Sequence, residues 1–211
     1  VPAVSFAFPA AVRRVFRKRP RLSVSEWAER HVRLPSTVTS RDGPFRMSRT
    51  PYLRDPVDSW ALLHVRRGVL CAAPQTGKTL GSYLPLLYAM DRSPAPAVLV
   101  LSDEDGAKKM MKDYLQPIVR ETRDLKGLLS SQKSDETSHV LRLKNGMLVR
   151  GAWATSASKL KSFPYRYAIG DEVDDWPAFA GDRGGDPEAL LDVRLRTFPK
   201  TSKLWLVSSP V

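Results

Sequence analysis

The sequence predicts an α/β protein, a mainly parallel central sheet with helices on both faces, and three observations carry that prediction. Short apolar runs alternate with stretches of helical period; one run is apolar at every position, as a strand buried on both faces requires; and a small-residue loop joins one such strand to a helix. At 211 residues and 42% hydrophobic content, the chain is long enough for one well-buried core. No stretch approaches the roughly 18 apolar residues of a membrane span, and residues 1–15, interrupted by Pro2 and Pro9, lack a convincing leader cleavage site. A soluble, cytoplasmic protein with no membrane partner is expected. The single cysteine, Cys71, excludes an intramolecular disulfide or a cysteine-cluster metal site, and its apolar surroundings predict a core thiol.

Residues 1–22 mix Pro with Arg without a sustained period and read as a basic arm, ahead of a folded domain over residues 23–211. The formal net charge is +12, and residues 1–35 supply +6 of it: Arg13, Arg14, Arg17, Lys18, Arg19, Arg21, Arg30 and Arg33 against Glu26 and Glu29. Such an arm either solubilises the chain or meets a polyanion such as nucleic acid. Ser23 with Glu26 three residues on has the spacing of a capping box, opening a helix to about His31. Residues 34–51, rich in Pro, Ser, Thr, Arg and Gly, read as loop. Residues 65–73 form an apolar strand ending in a small-residue turn, and residues 79–90 carry Leu80, Tyr83, Leu84 and Leu87 at helical spacing.

Residues 97–101 (AVLVL) are the fully apolar strand, and residues 104–122 are a second helical stretch, completing a βαβ unit. Residues 140–143 and 147–149 flank Lys144-Asn145-Gly146, whose Asn-Gly pair predicts a tight hairpin turn with positive φ angles, in an antiparallel insertion. Residues 167–170 make a strand leading into Asp171-Glu172, residues 186–194 a helix, and residues 203–208 (KLWLVS) a last strand.

The loop between the strand at 65–73 and its helix reads Ala72-Ala73-Pro74-Gln75-Thr76-Gly77-Lys78-Thr79, a phosphate-binding loop with Ala72 in place of the first glycine. Within the segment Ala73, Pro74, Gln75, Thr76 and Gly77, the backbone N–H groups, which Pro74 alone lacks, curl around phosphate oxygens. A side chain at Gly77 would stand in the way. Lys78 reaches the β/γ-phosphates, the Thr79 hydroxyl ligates Mg²⁺, and the helix offers its N-terminal dipole. A strand-end acidic pair is the natural complement: Asp171 would hold the Mg²⁺ of ATP and Glu172 would polarise the attacking water. Glu172 argues for hydrolysis over small-molecule phosphoryl transfer, because a kinase excludes water. Ser208, with Ser209 and Pro210, ends the last strand at the carboxyl edge where open α/β sheets bind ligands, either as a γ-phosphate sensor or as a plain turn. His31, His64 and His139 are too scattered to form a metal site.

These pieces resemble the large subunit of tailed-phage terminases, specifically the lambda-type ATPase domain, over residues 25 to 210. The resemblance is carried by Ser25-Glu26-Trp27-Ala28, Arg49-Thr50-Pro51-Tyr52, the phosphate loop, Leu160-Lys161-Ser162-Phe163-Pro164, Gly170-Asp171-Glu172-Val173-Asp174 and Ser208-Ser209-Pro210. It implies a P-loop NTPase fold of the ASCE, RecA-like kind, with the Ser208 strand lying between the P-loop strand and the acidic strand. It implies that Tyr52 stacks on or near the base, with Leu53 where the family usually has Gln, and that Ser208-Ser209-Pro210 couples γ-phosphate state to movement. Arg194, or its neighbour Arg196, stands where the family often carries an arginine that stabilises the transferring phosphoryl group; a surface salt bridge is the alternative for either. The implied function is ATP-driven translocation of double-stranded DNA into a procapsid at the portal, in the host cytoplasm. The implied partners are a homo-oligomeric ring, the portal protein and the small terminase subunit. The nuclease domain of full-length members is not expected within these residues. The rival readings are a helicase-like DNA-remodelling ATPase and a non-catalytic basic DNA-binding or assembly module.

Overall fold

In the computed structural model, residues 8, 9, 12, 20–182 and 184–210 are described, so Arg13, Arg14, Arg17, Lys18 and Arg19 of the expected arm lie outside the described residues. Helix α1 (Val24–His31) opens on the predicted capping box: the Glu26 N–H donates to Ser23 Oγ at 3.3 Å and the Ser23 N–H to Glu26 Oε2 at 2.9 Å. Its buried face, Val24, Trp27 and Ala28, packs on the helix Lys78–Arg92, and the Trp27 indole N–H donates to Asp91 there at 2.9 Å. The stretch read as loop carries a small clasp, strands β1 (Arg33–Leu34) and β2 (Gly43–Pro44) in antiparallel register, before a short helix α2 (Arg54–Ser59).

The main sheet follows. Strand β3 (Arg67–Cys71) leads into α3 (Lys78–Arg92), and β4 (Ala97–Leu101) into a long helical stretch. That stretch is α4 (Glu104–Lys109), a π-helical segment over Met110–Leu115, and α5 (Gln116–Glu121), with a short α6 (Arg123–Lys126) after it. The wider turn lies just ahead of Pro117, which has no N–H to give to an ordinary helical ladder. Then come β5 (Val140–Arg142), β6 (Leu148–Trp153), α7 (Ala157–Lys161), β7 (Tyr167–Gly170), α8 (Pro187–Leu195) and β8 (Lys203–Ser208).

The strand order is β3-β8-β7-β4-β6-β5, parallel throughout except for the β5–β6 pair. Alternate residues feed two cores. Ala97, Leu99, Leu101, Ile169, Trp205 and Val207 face α1, α3 and the long helical stretch, whereas Val98, Val100, Ala168, Leu204 and Leu206 face Leu160 of α7 and Leu191 and Leu195 of α8. The strand period of two makes that division.

Three expectations are corrected. Cys71 is exposed rather than a core thiol, because β3 pairs with β8 alone among the described residues and its alternate residues Arg67, Val69 and Cys71 point to solvent. The expected antiparallel insertion is part of the main sheet: β6 lies parallel to β4, and only β5 runs against it. In its turn only Gly146 has positive φ (86°). Asn145 serves instead through its side chain, donating to the Met90 carbonyl at 2.7 Å and accepting from the Met147 N–H at 3.2 Å.

Candidate nucleotide site

Parallel strands joined by right-handed crossovers bring their carboxyl ends to one edge. Here that edge gathers the loop after β3, the end of β8 and the acidic turn after β7, with β8 in the middle as the resemblance implied.

The loop over residues 72–79 carries its own shape. Gln75 and Gly77 adopt left-handed backbone (φ 60° and 79°), and Gly77 caps α3. A Cβ on Gly77 would meet only ordinary protein contacts, Thr50 at 3.4 Å and Leu53 at 3.6 Å, so within the protein φ rather than crowding demands glycine here. The Thr76 hydroxyl donates to the Ala73 carbonyl at 2.7 Å, closing the loop on itself. Tyr52, largely exposed, donates its hydroxyl to the Thr76 carbonyl at 2.7 Å, so its ring stands beside the loop. Leu53, in the place of the family's Gln, is buried and packs against Gly77 and Gly81 at the start of α3. Lys78 donates its ammonium to Ser209 Oγ, just past the end of β8.

The acidic turn is built differently. Asp171 is 3% exposed, and burial together with the neighbouring Glu172 charge raises its carboxyl from 3.8 to about 6. The hydroxyl of Tyr83, fully buried one helical turn beyond Thr79, lies 3.5 Å from Asp171 Oδ2, so the Thr79 face of α3 looks at the end of β7. Burial and then Asp171 push the Tyr83 phenol well above its ordinary range. Glu172, the next residue, is left-handed (φ 52°) and exposed. The turn after it, Val173–Asp175, is pinned twice. The Trp176 indole N–H donates to the Asp171 carbonyl at 3.1 Å, and Asp174 exchanges hydrogen bonds with Ser208: its N–H donates to Ser208 Oγ at 3.2 Å and its carboxylate accepts from that hydroxyl. Gly170 makes room for the indole, since a Cβ there would stand 2.7 Å from Trp176.

The residues fit a nucleotide and its magnesium ion. A buried carboxyl whose charge is disfavoured gains from a cation nearby, and the available donors are the oxygens of Asp171, Glu172 and Thr79, the hard set that magnesium takes together with water. Lys78 and the N-terminus of the fifteen-residue α3 supply positive charge for phosphate.

Of the residues singled out in the sequence, 73–79, Tyr52, Asp171, Glu172 and Ser208 come together at this edge; Arg194 does not. Its guanidinium donates to the Lys161 carbonyl at 3.2 Å and its own carbonyl accepts from the Tyr165 N–H at 3.3 Å, ahead of β7. At about 3.3 Å per residue, the six residues from Tyr165 to Asp171 put it roughly 20 Å from the acidic pair. A helix that feeds a parallel strand must end at the strands' amino edge, and Arg194 occupies the last turn of α8. Arg196 lies at the same far edge, lining a cavity of about 290 Å³ with Arg66, Arg67, Asp192 and Ser202. Neither is a cis partner of Lys78. Sequence alone assigns no site role to Asp174, Trp176 or Tyr83. Only Tyr83 carried a local signal, its i+4 spacing from Thr79; the other two act through folds of the chain that spacing does not report.

A glycine-capped phosphate loop and a strand-end carboxylate pair, separated by one intervening parallel strand, define a P-loop NTPase domain. Residues 39–211 match the family model described as the phage terminase large subunit gpA, ATPase domain. The chain belongs to that family. It is 24% identical over 202 residues to the terminase large subunit of Escherichia phage lambda, covering 91% of this chain and 30% of that protein. It thus spans under a third of that relative's length. Among solved structures, the HK97 bacteriophage large terminase superposes with a TM-score of 0.65 at 15% identity, covering 88% of this chain and 37% of that one. The Thermus phage P74-26 large terminase ATPase domain does so at 0.53 and 13%, covering 78% and 68%. These last two show the shared fold.

Proposed function

We propose that this chain is the ATP-hydrolysing motor domain of a terminase large subunit, which drives double-stranded DNA into a procapsid. In this reading residues 23–211 form the motor domain and residues 1–22 a basic arm. The observation that carries it is the convergence at one sheet edge of the Lys78 loop, Ser208-Ser209 and the Asp171-Glu172 turn within the matched family region. Ala73, Pro74, Gln75, Thr76 and Gly77 wrap the phosphates, Lys78 neutralises their charge, and Tyr52 flanks the base. Thr79 and Asp171 would hold the magnesium ion, which draws charge from the transferring phosphoryl group when bound. Glu172 takes the proton of the attacking water. Glu172 is exposed with left-handed backbone while Asp171 is buried, so the adjacent carboxylates serve different tasks.

The family context supports a ring of copies acting in the host cytoplasm at the portal, with the small terminase subunit and portal as partners. A phosphoryl-stabilising arginine, Arg194 or Arg196 included, would then come from a neighbouring copy, since both lie at the far edge of their own sheet. Phosphate contacts make the grip on duplex DNA sequence-tolerant and salt-sensitive.

The test is ATP turnover as a function of protein concentration, with and without duplex DNA. Turnover per chain that rises with concentration and with DNA, and is lost in Lys78→Ala, is expected. Concentration-independent turnover argues against assembly of the site between copies, and no turnover at any concentration or DNA level sinks the motor reading in favour of a non-catalytic module.

A further inference from the structure

The chain Asp-Glu-Val-Asp after β7 contains a carboxylate, Asp174, that the hydrolytic chemistry does not use. It lies on the surface, yet it holds two hydrogen bonds to one serine across 34 positions of sequence. That serine, Ser208, is the last residue of β8, and the next one, Ser209, accepts from the Lys78 ammonium. The contacts therefore run without a break from the phosphate-loop lysine through Ser209 and Ser208 to Asp174. From Asp174 the tight turn Val173–Asp175 leads back to Glu172, whose carbonyl accepts from the Asp175 N–H at 3.0 Å.

Glu172 is a non-glycine residue at φ 52°. A left-handed L-residue costs about 1 kcal/mol or more and persists only where its surroundings hold it. On the near side the turn is held by Trp176 seated over Gly170 and bonded to the Asp171 carbonyl. That anchor belongs to β7 itself and does not touch the phosphate loop. The other anchor is Asp174 on Ser208, and it alone among these bonds connects the turn to a strand that also meets Lys78.

We propose that Asp174 is a positioning residue, which ties the conformation of Glu172 to the end of β8 and so makes the water-activating carboxylate answer to whatever engages Lys78. The inference rests on the hydrolytic role proposed for Glu172. The ammonium that donates to Ser209 is the group drawn to phosphate oxygens, and a shift of Ser209 moves Ser208 with it, one peptide away. Asp174, held to Ser208 by both its carboxylate and its N–H, follows and rotates the turn that presents Glu172. A misplacement of about 1 Å in such a group is enough to cost on the order of 100-fold in rate, so a small displacement suffices to gate hydrolysis.

The test compares Asp174→Ala, Asp174→Asn, Ser208→Ala and the double variant Asp174→Ala/Ser208→Ala, each checked by thermal melting. Saturating-ATP turnover and affinity for a fluorescent ATP analogue are measured, with Glu172→Gln in parallel. Asp174→Ala is expected to lower kcat by about 10- to 100-fold with analogue affinity within about twofold. Asp174→Asn, whose amide oxygen still accepts from Ser208, recovers most of the rate, and the double variant is no worse than Asp174→Ala. Unchanged kcat in Asp174→Ala, losses that add in the double variant, or affinity that falls in step with kcat overturns the proposal. If Glu172→Gln turns over normally, it is the underlying hydrolytic assignment that fails. Amide hydrogen exchange reads the tether without turnover: Ser208→Ala should speed exchange across residues 173–176 and leave β7 protected, and unchanged exchange there overturns the tether.

Discussion

Residues 72–79 after β3 and residues 171–176 after β7 end neighbouring regions of one sheet edge, and each needs a glycine, but for different reasons. In the loop, Gly77 supplies a left-handed φ of 79° where a Cβ would meet only ordinary contacts, and the loop closes through its own Thr76–Ala73 bond. In the acidic turn, Gly170 has ordinary strand backbone and is required because the Trp176 ring lies where a Cβ would stand. The loop stores its shape in backbone dihedrals; the turn borrows its shape from Trp176 and from Ser208 of another strand. A phosphate cradle needs N–H groups aimed inward, which local dihedrals can set. A carboxylate pair must be divided into one buried and one exposed member, and only neighbouring elements can do that.

Catalysis should break the comparison most widely. Glu172→Gln is expected to cut turnover by about 100-fold or more, the usual scale for losing a general base, while retaining ATP affinity. Lys78→Ala should lose affinity as well, and isothermal titration separates the two. Matching losses of affinity would mean that the two segments do not have distinct roles. Next in size, Gly170→Ala should destabilise the fold by about 2–3 kcal/mol in urea unfolding, as an overpacked core position does, because the indole must leave the Asp171 carbonyl. A smaller cost than for Gly77→Ala would refute the crowding argument.

Asp171→Asn is expected to act in the opposite direction in magnesium- and nucleotide-free buffer. Its folded-state value of about 6 lies above the 3.8 of the unfolded chain. The stability tied to its protonated form is therefore full below about pH 4 and lost as pH rises through about 6. At pH 8 the neutral amide should stabilise the domain by about 2–3 kcal/mol, an advantage that vanishes near pH 3.5. A variant that is destabilised at pH 8 would show that burial is not what raises Asp171. Gly77→Ala should cost about 1–2 kcal/mol through φ alone, with a parallel loss in nucleotide affinity. Smallest, Tyr52→Phe removes the bond to the Thr76 carbonyl at an exposed position and should cost about 0.5 kcal/mol, read as faster amide exchange confined to the loop.

The features legible in the sequence are those decided by near neighbours. The period of residues 97–101, the Ser23–Glu26 box, the phosphate loop between a strand and a helix, and Asp171-Glu172 at a strand end all follow from dihedral preference, side-chain period and short-range hydrogen bonding. Those same rules misjudged Cys71, because an apolar run does not report whether its strand has a neighbour on both sides. They also made β6 part of an insertion, since a hairpin signal does not tell which of its strands joins the larger sheet. Strand order was decided by tertiary structure alone. Threading β8 between β3 and β7 brings Ser209 to Lys78 and Ser208 to Asp174, and ending α8 at the opposite edge keeps Arg194 away from both. The phosphate loop was readable because its geometry is made within eight residues. The turn that presents Glu172 was not, because its partners are supplied by a strand more than thirty residues further along the chain.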